Sequence, residues 1–141
     1  MAEVTETNIR TDVPAENQSV ERCLTFESGD MTLFLSINNV TEIINDCAIT
    51  HLPLVPDYIK GIINLRGQIL PVVDIRLYMG KPALEYNSKT CFIVLNVDDL
   101  PVCIVVDSVQ QVIDIDLLDG MITLENGTVL MSFDCKSLVS S

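Results

Sequence analysis

The stretch "GIINLRGQILPVVDI", Gly61 to Ile75, decides how this chain is read. Two arms rich in Ile, Leu and Val flank Leu65-Arg66-Gly67-Gln68, the pattern of a β-hairpin that buries its sides and carries a cation at its bend. Gly67 suits a tight bend that needs positive φ, which glycine adopts without steric cost. Gly61 opens the first arm, where the missing Cβ lets another backbone come close. Asp74 closes the second arm and is placed for local capping or turn hydrogen bonds. The arginine is the unusual part, because the chain has only eight basic residues against twenty acidic ones.

That imbalance narrows the function. With a formal net charge of -12 and 48% hydrophobic residues, the 141-residue chain suits one domain, or two small ones, around a packed core. Nucleic acid is not an expected partner, nor is an anionic membrane surface, because phosphate-rich surfaces select basic stripes. Apolar runs such as Cys91–Leu95 and Val102–Val106 are strand-length, far short of the roughly 18–20 residues that span a bilayer, so no direct membrane insertion is expected. The N-terminus reads as free of a secretory signal and the protein as cytoplasmic. Cys23, Cys47, Cys91, Cys103 and Cys135 are odd in number, lack a Cys-x-x-Cys spacing, and mostly sit in apolar runs as small hydrophobes. One histidine, His51, cannot complete a zinc site with them, so neither metal nor cofactor is expected. Cys47 and His51 have the spacing of a nucleophile and base on a helix, but "CAITHLP" is β-branched and runs into proline. Asp114–Gly120 has acids without calcium-loop spacing. The chain is not read as an enzyme.

Residues 1–19 are acidic and aperiodic and read as a disordered tail. From Val20 onward, short runs of Val, Ile, Leu, Phe and Thr alternate with turn residues at Glu27–Asp30, Val97–Pro101 and Glu125–Gly127, the signature of an all-β chain. Helical turns are expected only near Asn38–Ile43, Pro56–Ile59 and Asp134–Val139. The sequence also repeats itself. When Cys23 is laid on Phe92, the apolar positions of Cys23–Ile44 fall on those of Phe92–Ile113, with Val40 on Val109. The quoted hairpin then matches Gly120–Cys135 with one inserted residue, pairing Gly61 with Gly120, Gly67 with Gly127 and Asp74 with Asp134. Two β modules are expected, about 20–80 and about 88–140, each too small to bury a sufficient core alone and therefore packed on the other.

The segments "IKGIINLRGQILPVVDIR" (Ile59–Arg76), "VTEII" (Val40–Ile44) and "IVVDSVQQVI" (Ile104–Ile113) together resemble the CheW-like family of chemotaxis adaptors, over about Arg22 to Val139. The resemblance implies a CheW-like domain over 20–140, built as two SH3-like five-stranded β-barrel subdomains. It implies a non-catalytic scaffold whose partners are the cytoplasmic tips of chemoreceptors and the regulatory domain of the histidine kinase CheA, in receptor arrays at the inner membrane face. It places Val40, Glu42 and Arg66 on the receptor-binding surface and leaves the kinase-binding residues unassigned. Two other readings stand beside it: a divergent CheW-like scaffold in a pathway other than motility, and a small-molecule-binding β-barrel. Three features depart from the family pattern. Residues 114–119 span six positions where the first half has sixteen (45–60), Gln111 stands where an acid is common, and Leu33–Ser36 replaces an aromatic–small pattern.

Overall fold

The computed structural model describes residues 20–116, 121–123 and 127–139. The tail expected over 1–19, the end of the 114–119 connection and the second bend at Glu125-Asn126 lie outside the described residues. Ten strands account for most of the rest: β1 (Val20–Ser28), β2 (Met31–Ser36), β3 (Val40–Ile44), β4 (Ile59–Leu65), β5 (Gln68–Asp74), β6 (Cys91–Val97), β7 (Leu100–Val106), β8 (Ser108–Asp116), β9 (Met121–Thr123) and β10 (Val129–Ser132). One short helix, α1 (Ile75–Tyr78), follows β5, and 3-10 turns cover Ile37–Asn39 and Cys135–Leu138. The expected helical turn at Asn38–Ile43 is therefore mostly strand, since the β-branched run Val40–Ile44 favours a ladder over a helix. Near Pro56–Ile59 the chain makes a turn and then enters β4. Helix α1 escaped the sequence reading because four residues are too few to show a 3.6-residue period.

Two five-stranded sheets result, with the orders β8-β1-β2-β10-β9 and β3-β6-β7-β5-β4. Laying β1–β5 on β6–β10, as the sequence repeat does, converts the first order into the second. The fold is thus all-β with the same SH3-like strand order in each sheet, but the sheets do not follow the halves of the sequence. Strand β3 leaves β2 to pair with β6, and β8 leaves β7 to pair with β1. Contiguous modules were expected because alternation reveals which face of a strand is buried and not which strand it pairs with. Each sheet also contains one parallel pairing, β5 with β7 and β10 with β2, which closes the set of hairpins.

The core follows from period-two alternation. On β6 and β7, Ile93, Leu95, Val97, Val102, Ile104 and Val106 face the other sheet, where they meet Leu24, Phe26, Leu33 and Leu35 in one shared core. Their alternates Phe92, Val94, Cys103 and Val105 face outward into a second cluster, roofed by Cys47 and Ile49 of the β3–β4 connection. A third and smaller cluster, Cys23, Phe34, Ile115 and Leu130, lies on the outer face of the first sheet. Burial on both faces explains why β7 reads as an unbroken apolar run.

Polar contacts tie the sheets together. Asp107, between β7 and β8, accepts from the Gly29 amide at 3.0 Å and pairs with Arg76 Nη1 of α1 at 2.6 Å. Its role is a bridge between elements distant in sequence. Asp74 caps α1 through the Leu77 amide, and its buried carboxylate accepts from the Tyr86 hydroxyl at 2.8 Å. In the repeat, Asp134 likewise caps the turn Cys135–Leu138. Tyr78 of α1 reaches Ser137 of that turn at 2.9 Å, so the two capped segments also touch each other.

Gly61 marks a contact that permits no side chain. Its φ is 142°, and a Cβ there would lie 2.1 Å from the Thr50 carbonyl oxygen. The approach arises because Thr50 and Ile62 exchange both backbone hydrogen bonds at 2.9 Å, which pins the β3–β4 connection to β4. Gly61→Ala should therefore cost about 3 kcal/mol, combining backbone strain with overpacking against an atom that cannot rotate away. Urea denaturation measures it, and a loss below about 1 kcal/mol would contradict this account of the approach.

Candidate functional site

The second sheet gathers the sequence-predicted surface residues at one end. Because β5 and β7 run parallel, the bends that precede them lie at the same end of the sheet. Strand β3 enters there too, since Val40 stands opposite Leu95 near the end of β6. The rim so formed carries Val40, Glu42, Arg66, Gly67, Asp98 and Asp99.

Its two hairpin bends share one geometry. Arg66 and Gly67 have φ of 54° and 85°, and Asp98 and Asp99 have 52° and 67°. Positive φ at both central positions is the type I′ arrangement, whose twist matches that of the flanking strands. Asp tolerates it and Gly prefers it, but arginine has no such excuse and holds its backbone there at a cost of about 1–2 kcal/mol. The amide of Gly67 donates to Asn64 Oδ1 at 3.0 Å, which locks the bend. A sequence with a single glycine at its bend gave no sign that the residue before it would also be left-handed.

Glu42 explains what holds the arginine. Val40, Glu42 and Ile44 would share one face of a regular strand, yet Val40 packs on the shared core and Ile44 on the outer cluster. A β-bulge between Val40 and Glu42 inserts the extra residue that switches faces. Glu42 is thereby aimed outward toward the β4–β5 bend. Both its carboxylate oxygens accept from Arg66, Oε1 from Nη1 and Oε2 from Nη2, the latter at 3.1 Å. This fork-to-fork pair fixes the guanidinium plane while leaving the Arg66 side chain 71% exposed. The two partners are 24 residues apart in sequence, which is why composition alone did not reveal the pairing. Val40 is half-buried and supports the rim from beneath. Thr41, Glu42, Leu65, Arg66, Gln68 and Asp99 line an open groove of about 200 Å³ on this face.

Burial pushes the Cys103 thiol up to about 12, and Cys47 is also raised by burial, so neither supplies a thiolate near neutral pH. Among the described residues no hydrogen bond joins Cys47 to His51, and no three metal-ligating side chains converge. Among the same residues no helix is long and apolar enough to cross a membrane. A second groove of about 190 Å³ lies between Tyr58, Pro71, Tyr78 and Leu138. Both volumes fall below the roughly 300–1,000 Å³ usual for small-molecule pockets.

Hydrogen bonds from Arg66, reinforced by its charge, hold the Glu42 carboxyl below the ordinary glutamate range. A depressed folded-state value means that the pair contributes stability above the unfolded-state pKa and loses it as pH falls through the folded-state value. Carboxyl-detected NMR titration should show Glu42 ionising at lower pH in the wild type than in Arg66→Gln, where its midpoint returns toward the ordinary glutamate range. Identical midpoints would show that the pair does not persist in solution.

Comparison with known proteins places this geometry. The CheW-like domain profile matches residues 22–118. The chemotaxis protein CheW of Klebsiella aerogenes is 37% identical over 92 residues, 65% of this chain and 55% of that protein. CheW of Thermotoga maritima is 34% identical over 118 residues, covering 84% and 76% of the two chains. The match spans 63% of the Helicobacter pylori CheW as well, so this chain aligns with rather less than two thirds of several curated relatives. In structure, the scaffolding protein TtCheW of Thermoanaerobacter tengcongensis superposes with a TM-score of 0.74 at 24% identity, over 86% of this chain and 93% of that one, and so shares the fold. With a family profile over most of its described length and strands that exchange between two like sheets, the chain belongs to the CheW-like domain family.

Proposed function

We propose that this chain is a non-catalytic chemotaxis scaffold that couples chemoreceptor cytoplasmic tips to the regulatory domain of the kinase CheA. The proposed setting is the cytoplasmic face of receptor arrays. The relatives named as chemotaxis proteins support this reading, and the rim of the second sheet supplies a surface for it. The observation that carries it is the Arg66 bend. An arginine is kept in a backbone conformation it disfavours, oriented by Glu42, and presented to solvent. An exposed cation with a fixed plane can select the register of a partner helix through directed hydrogen bonds, whereas a freely rotating one would lose rotamer entropy on binding.

In this reading Val40, Glu42 and Arg66 form the receptor-facing surface, and Gly61, Gly67 and Asp74 keep the hairpin rigid. A scaffold of this kind works through several modest contacts made at once, so each need not be tight.

Arg66→Glu should leave the far-ultraviolet circular dichroism spectrum unchanged, because the residue is exposed at a bend. It should weaken binding to a purified receptor-tip fragment about fivefold or more, as an interface anchor does. An unchanged isotherm would remove Arg66 from the receptor surface.

A further inference from the structure

The β3–β4 connection presents a second side chain at the expense of the fold. Leu54 is 104% exposed, the highest value among the large apolar residues described, and Leu52 beside it is 39% exposed. Leu54 also has φ of 62°, in the left-handed region that suits glycine or asparagine and disfavours leucine. Two unfavourable choices thus coincide at one position: strained backbone and an apolar side chain in water. Among the described residues, none of the hydrophobic clusters includes Leu54.

The segment is not loose. Pro53 and Pro56 bracket Leu54, the Ile59 amide donates to the Pro56 carbonyl at 3.0 Å, and the Thr50–Ile62 bridge anchors the approach. Cys47 and Ile49, earlier in the same connection, are packed on the outer cluster of the second sheet. With the backbone beneath it pinned, binding would have to order only the leucine side chain. It is a single projecting knob, and the matching surface is a pocket.

We propose that Leu54 is the anchor by which this chain docks into an apolar pocket on a protein partner. Exposed Asp57 lies three residues beyond it and the chain carries a net charge of -12, so the rim of that pocket is basic. The position identifies which partner. From the start of β4, five residues after Leu54, the strand runs seven residues to the Arg66 bend, about 20 Å along the sheet. A receptor helix on the Arg66 rim leaves the Leu54 end free, and the partner there is the kinase regulatory domain. This assignment rests on the coupling role proposed above.

The discriminating variant is Leu54→Asn, because asparagine removes the knob and suits the backbone. It should raise the melting temperature by a few degrees. In isothermal titration against the purified kinase regulatory domain it should weaken binding about tenfold, while binding to the receptor-tip fragment stays as in the wild type. Leu54→Met should retain kinase-domain affinity. Unchanged affinity in Leu54→Asn overturns the anchor and leaves the coupling role intact. A lowered melting temperature also overturns it, since the leucine would then serve the fold. Wild-type chain that fails to bind the regulatory domain overturns the coupling role and the anchor together.

Discussion

Strand exchange between the two halves is the constraint on which the other features depend. Strand β3 completes a sheet whose centre, β6 and β7, comes from the second half of the sequence, and β8 returns the exchange by pairing with β1. The largest hydrophobic cluster draws its residues from both sheets, so neither half owns a core of its own. A unit of about 60 residues buries too little surface to be secure, and interleaving two such units lets one apolar interior serve both. The price appears as backbone approach and bulges: Gly61 against Thr50, and the face switch between Val40 and Glu42.

That bulge links the architecture to the surface. Without it, Glu42 would point toward the shared core and Arg66 would have no carboxylate to orient it. With it, the core keeps Val40 and the rim gains a charged pair. The same molecule places strain where surfaces are presented. Arg66 and Leu54 are large residues at positive φ, at opposite ends of β4, and both are exposed. In the interior the chain instead follows ordinary alternation, with Phe26, Leu35, Ile93 and Ile104 all buried as their strand positions require.

Much of this was legible before any coordinates. The Gly61–Ile75 hairpin, the turn residues around β1–β2 and β6–β7, and the repeat of strand order all follow from local pattern. The capping positions of Asp74 and Asp134 follow from their places at strand ends. The exchange of β3 and β8 did not follow, because a strand's sequence encodes its faces and leaves its neighbours open. The ion pair between Glu42 and Arg66 and the bridge from Asp107 to Arg76 join residues distant in sequence, with no local signal to connect them. Tyr86, whose hydroxyl satisfies buried Asp74, was invisible in a polar connection for the same reason. Leu54 was visible as a leucine between two prolines, but only its dihedral and exposure distinguish it from a residue that turns inward.

The most direct test of the central claim is to divide the chain in the β5–β6 connection and study residues 20–86 and 87–141 apart and together by heteronuclear NMR. The account predicts collapsed, poorly dispersed spectra for each fragment alone, and on mixing a single dispersed spectrum matching that of the intact protein. A dispersed, cooperative fold in either fragment by itself would contradict it, because a half that folds unaided does not depend on its neighbour's strands.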